Sequence, residues 1–230
     1  MNRKTAILTK NQKHESQLHR LLYYVDQLTE HKFNVDPKGT VLEIGAQPFL
    51  SDRYLEAGIH FNNISTGTVD VICDEAHLPF SANYDCVISP LSLHFTKSPK
   101  THLKQLISIL KPGGQLILTT FGHYSLHEIR SSAPENTNFE LLDFIHPSQL
   151  KSWLPYQGER AITEDWIYLS YDSLFDFFHE LKDLKLKSLS RANEQLSIQH
   201  AKKNIKNFEG RLTFQLITLI YKKPHLLRDE

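Results

Sequence analysis

Residues 41–50, VLEIGAQPFL, constrain the possible fold more than any other stretch of this chain. Apolar residues lead up to Gly45, and spacing typical of a helix resumes at residues 51–55. A buried strand, a tight glycine turn and a helix form the opening unit of a nucleotide-binding α/β domain. Such a turn normally carries two or three glycines, whereas this one has only Gly45. The stretch therefore predicts an α/β fold and leaves open whether the turn holds a ligand.

Strand and helix patterns alternate through the first 121 residues, which predicts a mainly parallel sheet with helices on both faces. Helices are predicted over residues 14–29, about 50–57, about 99–110, 123–131 and 146–154. Strands are predicted at 41–45, 59–64, 69–73, 84–89, 115–121, 162–169 and 211–221. A helical insertion over about 171–208 precedes the last strand. The fold class is therefore α/β, with a doubly wound, mostly parallel, seven-stranded sheet.

Composition excludes several classes of function. The 230 residues carry 26 basic and 26 acidic side chains, so the overall charge favours neither nucleic acid nor a membrane surface as a partner. Neither a spanning apolar run nor a secretory signal is found, and a cytoplasmic protein is predicted. Cys73 and Cys86 lie in apolar runs and are expected to be buried thiols. The histidines are scattered without ligand spacing, so no metal site is predicted.

Several segments resemble the class I S-adenosylmethionine-dependent methyltransferases. Residues 84–95 are similar to their fourth-strand segment, residues 110–116 to the turn before the fifth strand, and residues 73–80 to the third-strand motif. Within that class, three further segments resemble the biotin-pathway malonyl-acyl-carrier-protein O-methyltransferases; they are residues 120–130, 171–182 and 210–215. The resemblance implies one Rossmann-like domain over 1–230, with a helical segment at 1–37, a cofactor-binding half at 38–122 and a substrate-side half at 123–230.

The activity that this resemblance implies is methyl transfer from S-adenosyl-L-methionine to the free carboxylate of malonyl on acyl carrier protein, in biotin synthesis. The protein mainly supplies positioning and a water-poor site, since the cofactor carries the leaving group. A carboxylate nucleophile needs no general base, so no catalytic acid–base pair is expected. Two alternatives remain. One is a methyltransferase-fold protein with weakened or lost transfer that acts as a binding or assembly factor. The other is a relative of the mitochondrial complex I assembly hydroxylases, which share a Ser-Leu-His-Trp-like segment.

Cofactor contacts are implied first in the loop after the first predicted strand. Glu43 and Gly45 match the family's acidic residue and first loop glycine, and Pro48 is found in some members. Gln47 and Phe49 stand where the family has glycine, which permits close backbone approach to a ligand. A hydrophobic strand-to-helix turn without a ligand is therefore an equal alternative for this loop.

Further cofactor contacts are implied at the ends of the later strands. Asn63 stands where the family has an acidic residue that accepts the ribose hydroxyls, and an uncharged amide makes weaker hydrogen bonds. Asp74, with Glu75 beside it, matches the residue that reads the adenine amino group; a turn or cap acid is the alternative. Ser89 and Leu91 are expected to line the methionine end.

On the substrate side, His94 and Arg130 are the candidates, although a histidine that caps a strand-to-helix loop is the simpler interpretation of His94. A Lys-rich stretch before the last strand would suit docking of the acidic acyl carrier protein. Charge runs on helices are usually solvated faces, and this is the favoured alternative for the same residues. The basic residues concerned are Lys182, Lys185, Lys187, Arg191, Lys202 and Lys203.

Overall fold

Both strands and helices make up the protein, whose computed structural model describes residues 3–8, 16–32, 39–44, 60–64, 84–93, 96, 98–131, 144–183 and 208–225. The elements in chain order are β1 (Arg3–Leu8), α1 (Gln17–Lys32), β2 (Thr40–Ile44), β3 (His60–Ile64), β4 (Tyr84–Pro90), α2 (Pro99–Ser108), β5 (Leu110–Phe121), α3 (His127–Ser131), α4 (Pro147–Trp153), β6 (Glu159–Ser170), α5 (Leu174–Asp183) and β7 (Arg211–Lys222). The strand order is β1-β6-β7-β5-β4-β2-β3.

Two compact units divide the chain. The first unit comprises Met1–Tyr24, Phe121–His146 and Glu164–Leu216. The second unit comprises Val25–Thr120, Pro147–Thr163 and Ile217–Glu230.

In the second unit, β3, β2, β4 and β5 pair in parallel in that order. The register aligns Glu43 of β2 with Asn63 of β3 on one side and with Ile88 of β4 on the other. Val41, Leu42 and Ile44 are buried. A continuous buried run is typical of a parallel strand that is covered on both faces, in contrast to the alternation of a half-exposed strand.

In the first unit, β1 pairs in parallel with β6, from Arg3 opposite Glu164 to Leu8 opposite Leu169. The core of this unit is aromatic. The ring centroid of Phe121 lies 6.1 Å from that of Phe144 and 5.3 Å from that of Phe214. Phe177 of α5 packs on the same cluster, 6.4 Å from Phe214.

The prediction of an α/β fold with parallel strands is confirmed, but the strand inventory differs. Six predicted strands correspond to β2 to β7, whereas the predicted strand at 69–73 lies outside the described residues. β1 falls in the segment 1–37, which was predicted to be helical. Its partner strand is about 160 residues away in sequence, so local periodicity carries no sign of the pairing.

Two element boundaries also differ from the prediction. β5 begins at Leu110, before the expected turn at 111–114, because Gly113 N–H donates to Lys223 O (3.0 Å) and Lys223 N–H donates to Gly114 O (2.8 Å). The helix predicted over 123–131 begins only at His127, since Leu126 has a φ of 55°. In the predicted insertion, α5 is described, and residues 184–207, like the helix predicted over about 50–57, lie outside the described residues.

Candidate functional site

The carboxyl ends of β2 and β4 lie side by side where the strand order reverses. From β2 the chain continues to β3 on one side, and β4 then pairs with the other side of β2. Open α/β sheets bind ligands in the crevice beyond the carboxyl ends at such a switch point. In the second unit, the switch point lies between the end of β2 at Ile44 and the end of β4 at Pro90.

Glu43 is the acidic side chain that the fold places at this switch point. It is the penultimate residue of β2, lies between Leu42 and Ile44, and is fully buried. Burying a carboxyl group is unfavourable unless polar groups hydrogen-bond to it. Fully buried acidic residues are therefore rare within strands. The structure therefore brings Glu43 to the position where the sequence predicts a cofactor contact.

The residues after β4 adopt a strained and closely held conformation. Leu91 has a φ of 50°, which is uncommon for a bulky side chain and is associated with functional sites. Its N–H donates to Thr119 O (2.9 Å) and Thr119 Oγ1 (3.3 Å) of β5. The hydroxyls of Ser89 and Ser92, both buried, are hydrogen-bonded to each other. Ser89 in β4 and Leu91 just after it thus lie at the same edge of the sheet as Glu43.

The other predicted site residues are described only in part. Asn63 lies in β3 opposite Glu43 in backbone register, and its side chain is outside the described part of the structure. Arg130 and Lys182 lie in α3 and α5, and their side chains are likewise not described. The remaining predicted site residues lie outside the described residues; they are Gly45, Gln47, Asp74, Glu75, His94, Lys185, Lys187, Arg191, Lys202 and Lys203.

A second feature, which sequence reasoning missed, is the turn formed by Gly122–Leu126 in the first unit. We call this segment the clamped turn. Gly122 N–H donates to Gln215 O (2.7 Å), and Tyr124 N–H donates to Gln215 Oε1 (3.0 Å). Ser125 Oγ donates to Gln215 O (3.2 Å) and accepts from Gln215 N–H (3.1 Å). One glutamine of β7 therefore fixes most of this turn.

The clamp extends on both sides of Gln215. Gln215 Nε2 donates to Glu164 Oε2 (2.8 Å), and both side chains are buried. Leu126 N–H donates to Thr213 O (2.7 Å), while Thr213 N–H donates to Glu128 Oε2 (3.1 Å). A signal existed in the sequence, because Thr213 and Gln215 are polar residues within the otherwise apolar strand pattern of β7.

Four rings form a row beside the clamped turn. In order they are His146, His123, Tyr124 and Trp166, with successive centroid separations of 6.2, 5.6 and 5.7 Å. His123 and His146 are exposed, and Tyr124 is 48% exposed although it is a large aromatic residue. We call these four residues the ring row.

Metal-ligand groups and membrane-spanning helices are both absent from the described residues. Within those ranges, no group of three or more His, Cys, Asp or Glu residues could hold a metal ion. The described helices include none that is long and apolar enough to span a bilayer. Cys86 is a buried free thiol, as predicted, and burial raises its pKa.

Comparison with known proteins decides the fold. Residues 24–118 match the family profile described as a methyltransferase domain. The structure is similar to that of a candidate methyltransferase from Bacillus halodurans, with a TM-score of 0.58 at 14% identity. The alignment covers 88% of this chain and 98% of that one. The chain has the methyltransferase fold. It is also similar to Haemonchus contortus phosphoethanolamine N-methyltransferase 2 in complex with S-adenosyl-L-methionine, with a TM-score of 0.54 at 11% identity over 88% of this chain and 53% of that one.

The sequence of this methyltransferase-fold chain is similar to proteins with different named activities. The mitochondrial arginine-hydroxylase NDUFAF5 of Rattus norvegicus is 32% identical over 135 residues, which are 54% of this chain and 39% of the relative. The malonyl-[acyl-carrier protein] O-methyltransferase of Priestia megaterium is 28% identical over 135 residues, 51% of this chain and 47% of the relative. The chain thus spans less than half the length of these two relatives.

Proposed function

We propose that this chain binds S-adenosyl-L-methionine at the switch point between β2 and β4 and transfers its methyl group to the free carboxylate of malonyl on acyl carrier protein. The observation that carries the proposal is the buried Glu43 beside the strained Ser89–Leu91 segment at adjoining strand ends. The methyltransferase-domain match over 24–118 includes all of these residues and supports S-adenosyl-L-methionine as the cofactor. The Haemonchus contortus enzyme, which has the same fold and was solved with that molecule, supports it too.

The residues at the switch point fit this cofactor. A buried carboxylate accepts strong hydrogen bonds from hydroxyl and ammonium groups, both of which the cofactor carries. Leu91 offers an apolar, fixed wall, because its backbone is tied to Thr119. The cofactor supplies an activated methyl group, and the chain's own residues hold it, orient it and exclude water.

The proposed acceptor rests on the carrier-protein methyltransferases among the relatives, of which the Priestia megaterium protein is one. A malonyl carboxylate is already a nucleophile when it is ionised near neutral pH, so no general base is required.

Calorimetric titration with S-adenosyl-L-methionine tests the cofactor site. We expect binding by the native chain and a loss of about tenfold or more in affinity for Glu43→Gln, which keeps the shape but removes the charge. Glu159→Gln is the matched control, since Glu159 is exposed at the start of β6. Failure of the folded chain to bind millimolar cofactor would sink the enzymatic proposal.

Transfer of a labelled methyl group to malonyl-carrier protein tests the acceptor. Malonyl-CoA serves as the comparison that lacks the protein partner, and acetyl-carrier protein serves as the control that lacks the free carboxylate. We expect product with the malonyl thioesters and none with acetyl-carrier protein. Equal labelling of acetyl-carrier protein would show that the carboxylate is not the acceptor.

A second candidate function is that of an assembly factor or hydroxylase with the same fold. The 32% identity to the Rattus norvegicus arginine-hydroxylase favours it. In that case the cofactor binds without methyl transfer to malonyl thioesters. Incubation with arginine peptides, dioxygen and a two-electron reductant would then add the mass of one oxygen atom to the peptide, as detected by mass spectrometry, while the second oxygen atom leaves as water.

A further inference from the structure

We propose that the ring row on the clamped turn binds the acyl-thioester arm of the methyl acceptor, and that Gln215 and Glu164 are positioning residues for this surface. The inference deepens the proposed function and rests on it for the identity of the acceptor. It concerns residues of the first unit alone, and it assigns a role to His123, Tyr124 and Gln215.

The clamped turn is held more firmly than a connecting loop requires. Loops normally run over the surface with exposed backbone groups and high mobility. Here Gln215 uses its backbone N–H, its backbone carbonyl and both side-chain polar atoms, and three of these groups bond to the turn. A Cβ at Gly122 would overlap the Gln215 side chain, so close approach of the two segments needs glycine there.

The rigid backbone of the clamped turn carries exposed aromatic rings. Tyr124 is 48% exposed, and its ring packs against Trp166, which is itself only half-buried. Large aromatic side chains on rigid supports contribute contact area to binding at a low cost in conformational entropy. The neighbouring Leu126 adopts a φ of 55° although it is a buried leucine, which is a further sign of an imposed geometry.

The side chains of the ring row indicate what kind of ligand they bind. Imidazole, phenol and indole groups present apolar faces together with N–H or O–H donors at their edges. The four members include no lysine, arginine, aspartate or glutamate. A surface of this kind suits a flexible, uncharged chain with carbonyl acceptors, such as the amide and thioester groups that link an acyl unit to its carrier. A guanidinium group would instead need acceptors, and the nearby Glu164 carboxylate already accepts from Gln215.

The role of Gln215 follows from its partners. Its Nε2 donates to Glu164, which orients the amide so that Oε1 accepts from Tyr124 N–H. Buried hydrogen-bonded side chains of this kind fix the rotamer of the groups that touch the ligand. Gln215 hydrogen-bonds the backbone N–H of Tyr124, so it acts on the ring row through the backbone of this residue.

Binding and steady-state kinetics with malonyl-CoA and malonyl-carrier protein test the inference, because both carry the same thioester arm. We expect Tyr124→Ala to weaken binding of both about tenfold and to raise KM more than it lowers kcat. Tyr124→Phe keeps the ring and is expected to stay within about threefold of the native chain. Gln215→Met should raise KM about fivefold and leave the affinity for S-adenosyl-L-methionine unchanged.

The matched control is Tyr156→Ala, since Tyr156 is 93% exposed and lies in the connection before β6. Equal thioester affinities for Tyr124→Ala and Tyr156→Ala would overturn the inference and leave methyl transfer standing. Thioester binding that depends on Tyr124 without methyl transfer would uphold it and refute the proposed activity. A native chain that binds neither thioester, or a Tyr124→Ala effect seen only with arginine peptides, would also overturn it.

Discussion

At the scale of single residues, the carboxyl group of Asp85 illustrates how competing effects set a pKa. Burial by itself raises the pKa, but the hydrogen bonds from Lys111 Nζ (2.6 Å) and Thr40 N–H (2.7 Å), together with the lysine charge, outweigh it. The pKa of Asp85 therefore lies below its ordinary value. A carboxyl group of this kind stabilises the native state above its unfolded pKa, and the effect is lost as the pH falls through the folded pKa.

Asp85→Asn should lower the free energy of unfolding by about 1 kcal/mol at neutral pH, a modest amount because solvent screens a pair that is about two-fifths exposed. The difference from the native chain should shrink as the pH falls below about 4. Urea denaturation at several pH values measures it. Lys111→Met removes the partner of Asp85 and should cause a similar loss; Lys104→Met, which removes an exposed lysine of α2, is its control. A constant difference at every pH would contradict the explanation.

The pKa of Tyr171 is shifted in the opposite direction, upwards. Burial raises the pKa of its phenol, and the adjacent Glu180 carboxylate, which accepts the Tyr171 hydrogen bond (2.9 Å), raises it further. The same carboxylate accepts from the N–H groups of Gln17 and Leu18 at the start of α1 (both 3.1 Å). Stability from a raised pKa is fully present below the unfolded pKa and is lost as the pH rises through the folded pKa.

Tyr171→Phe should lower the free energy of unfolding by about 1.5 kcal/mol at neutral pH, the contribution of a hydrogen bond to a charged group. The deficit relative to the native chain should narrow above about pH 10, where the unfolded tyrosine ionises. Denaturant unfolding followed by circular dichroism at neutral and alkaline pH measures this change. Tyr156→Phe is the control because its ring is almost fully exposed, and an equal loss in both variants would refute the assignment.

At the scale of elements, Lys223 secures the junction between α2 and β5. Its Nζ donates to the carbonyls of Leu110 (2.6 Å), Ser108 (3.2 Å) and Ile107 (3.4 Å). The last carbonyls of a helix have no partner within the helix, and a positive charge there also favours the helix dipole. The lysine thus completes the end of α2 from a position after β7.

Lys223→Met should lower the free energy of unfolding by about 1 kcal/mol and speed hydrogen exchange in the last turn of α2. Lys222→Met is the matched control, since Lys222 is the neighbouring lysine and is exposed at the end of β7. The two variants are compared by chemical denaturation and by exchange measured with mass spectrometry. If both lose the same stability, the helix-end contacts of Lys223 are not responsible.

Elements with a continuous apolar pattern could be predicted from the sequence, and elements that depend on distant partners could not. β2 and β4 were predicted within a residue or two because their burial is recorded in runs such as Val41-Leu42 and Val87-Ile88. β1 was missed because its partner, β6, is remote in sequence. The early start of β5 was missed because Gly113 pairs with Lys223.

The same distinction between local pattern and distant pairing applies to the residues of the candidate site. Glu43, Ser89 and Leu91 could be placed at strand ends from local pattern alone, and their contact with a cofactor stays a prediction. The ring row could not, since tertiary pairing brings His146 and Trp166 to the clamped turn. The Lys-rich surface proposed for the carrier protein also stays a prediction.

At the scale of the whole molecule, cofactor binding should stabilise the entire native chain. The reason is that β6 and β7 each contribute residues to both compact units. A ligand that binds only the native state adds about 2.7 kcal/mol at a free concentration of about 100 times its Kd. Trp153 lies in the second unit and Trp166 in the first, so each unit contains one tryptophan.

Thermal unfolding of Trp153→Phe and Trp166→Phe should therefore show one transition each, with equal upward shifts on addition of S-adenosyl-L-methionine. Intrinsic fluorescence provides the measurement, and Glu43→Gln should reduce both shifts. A shift confined to the Trp153 reporter would mean that the ligand stabilises only part of the chain.

The clamp between Gln215 and the turn after β5 also has a consequence for biosynthesis. The two segments are separated by 90 residues of sequence, and a chain emerges from the ribosome amino terminus first. When residues 122–126 leave the exit tunnel, the strand that orders them has not been translated. The ring row is therefore translated before the strand that holds its turn in place, and it gains this support only late in synthesis.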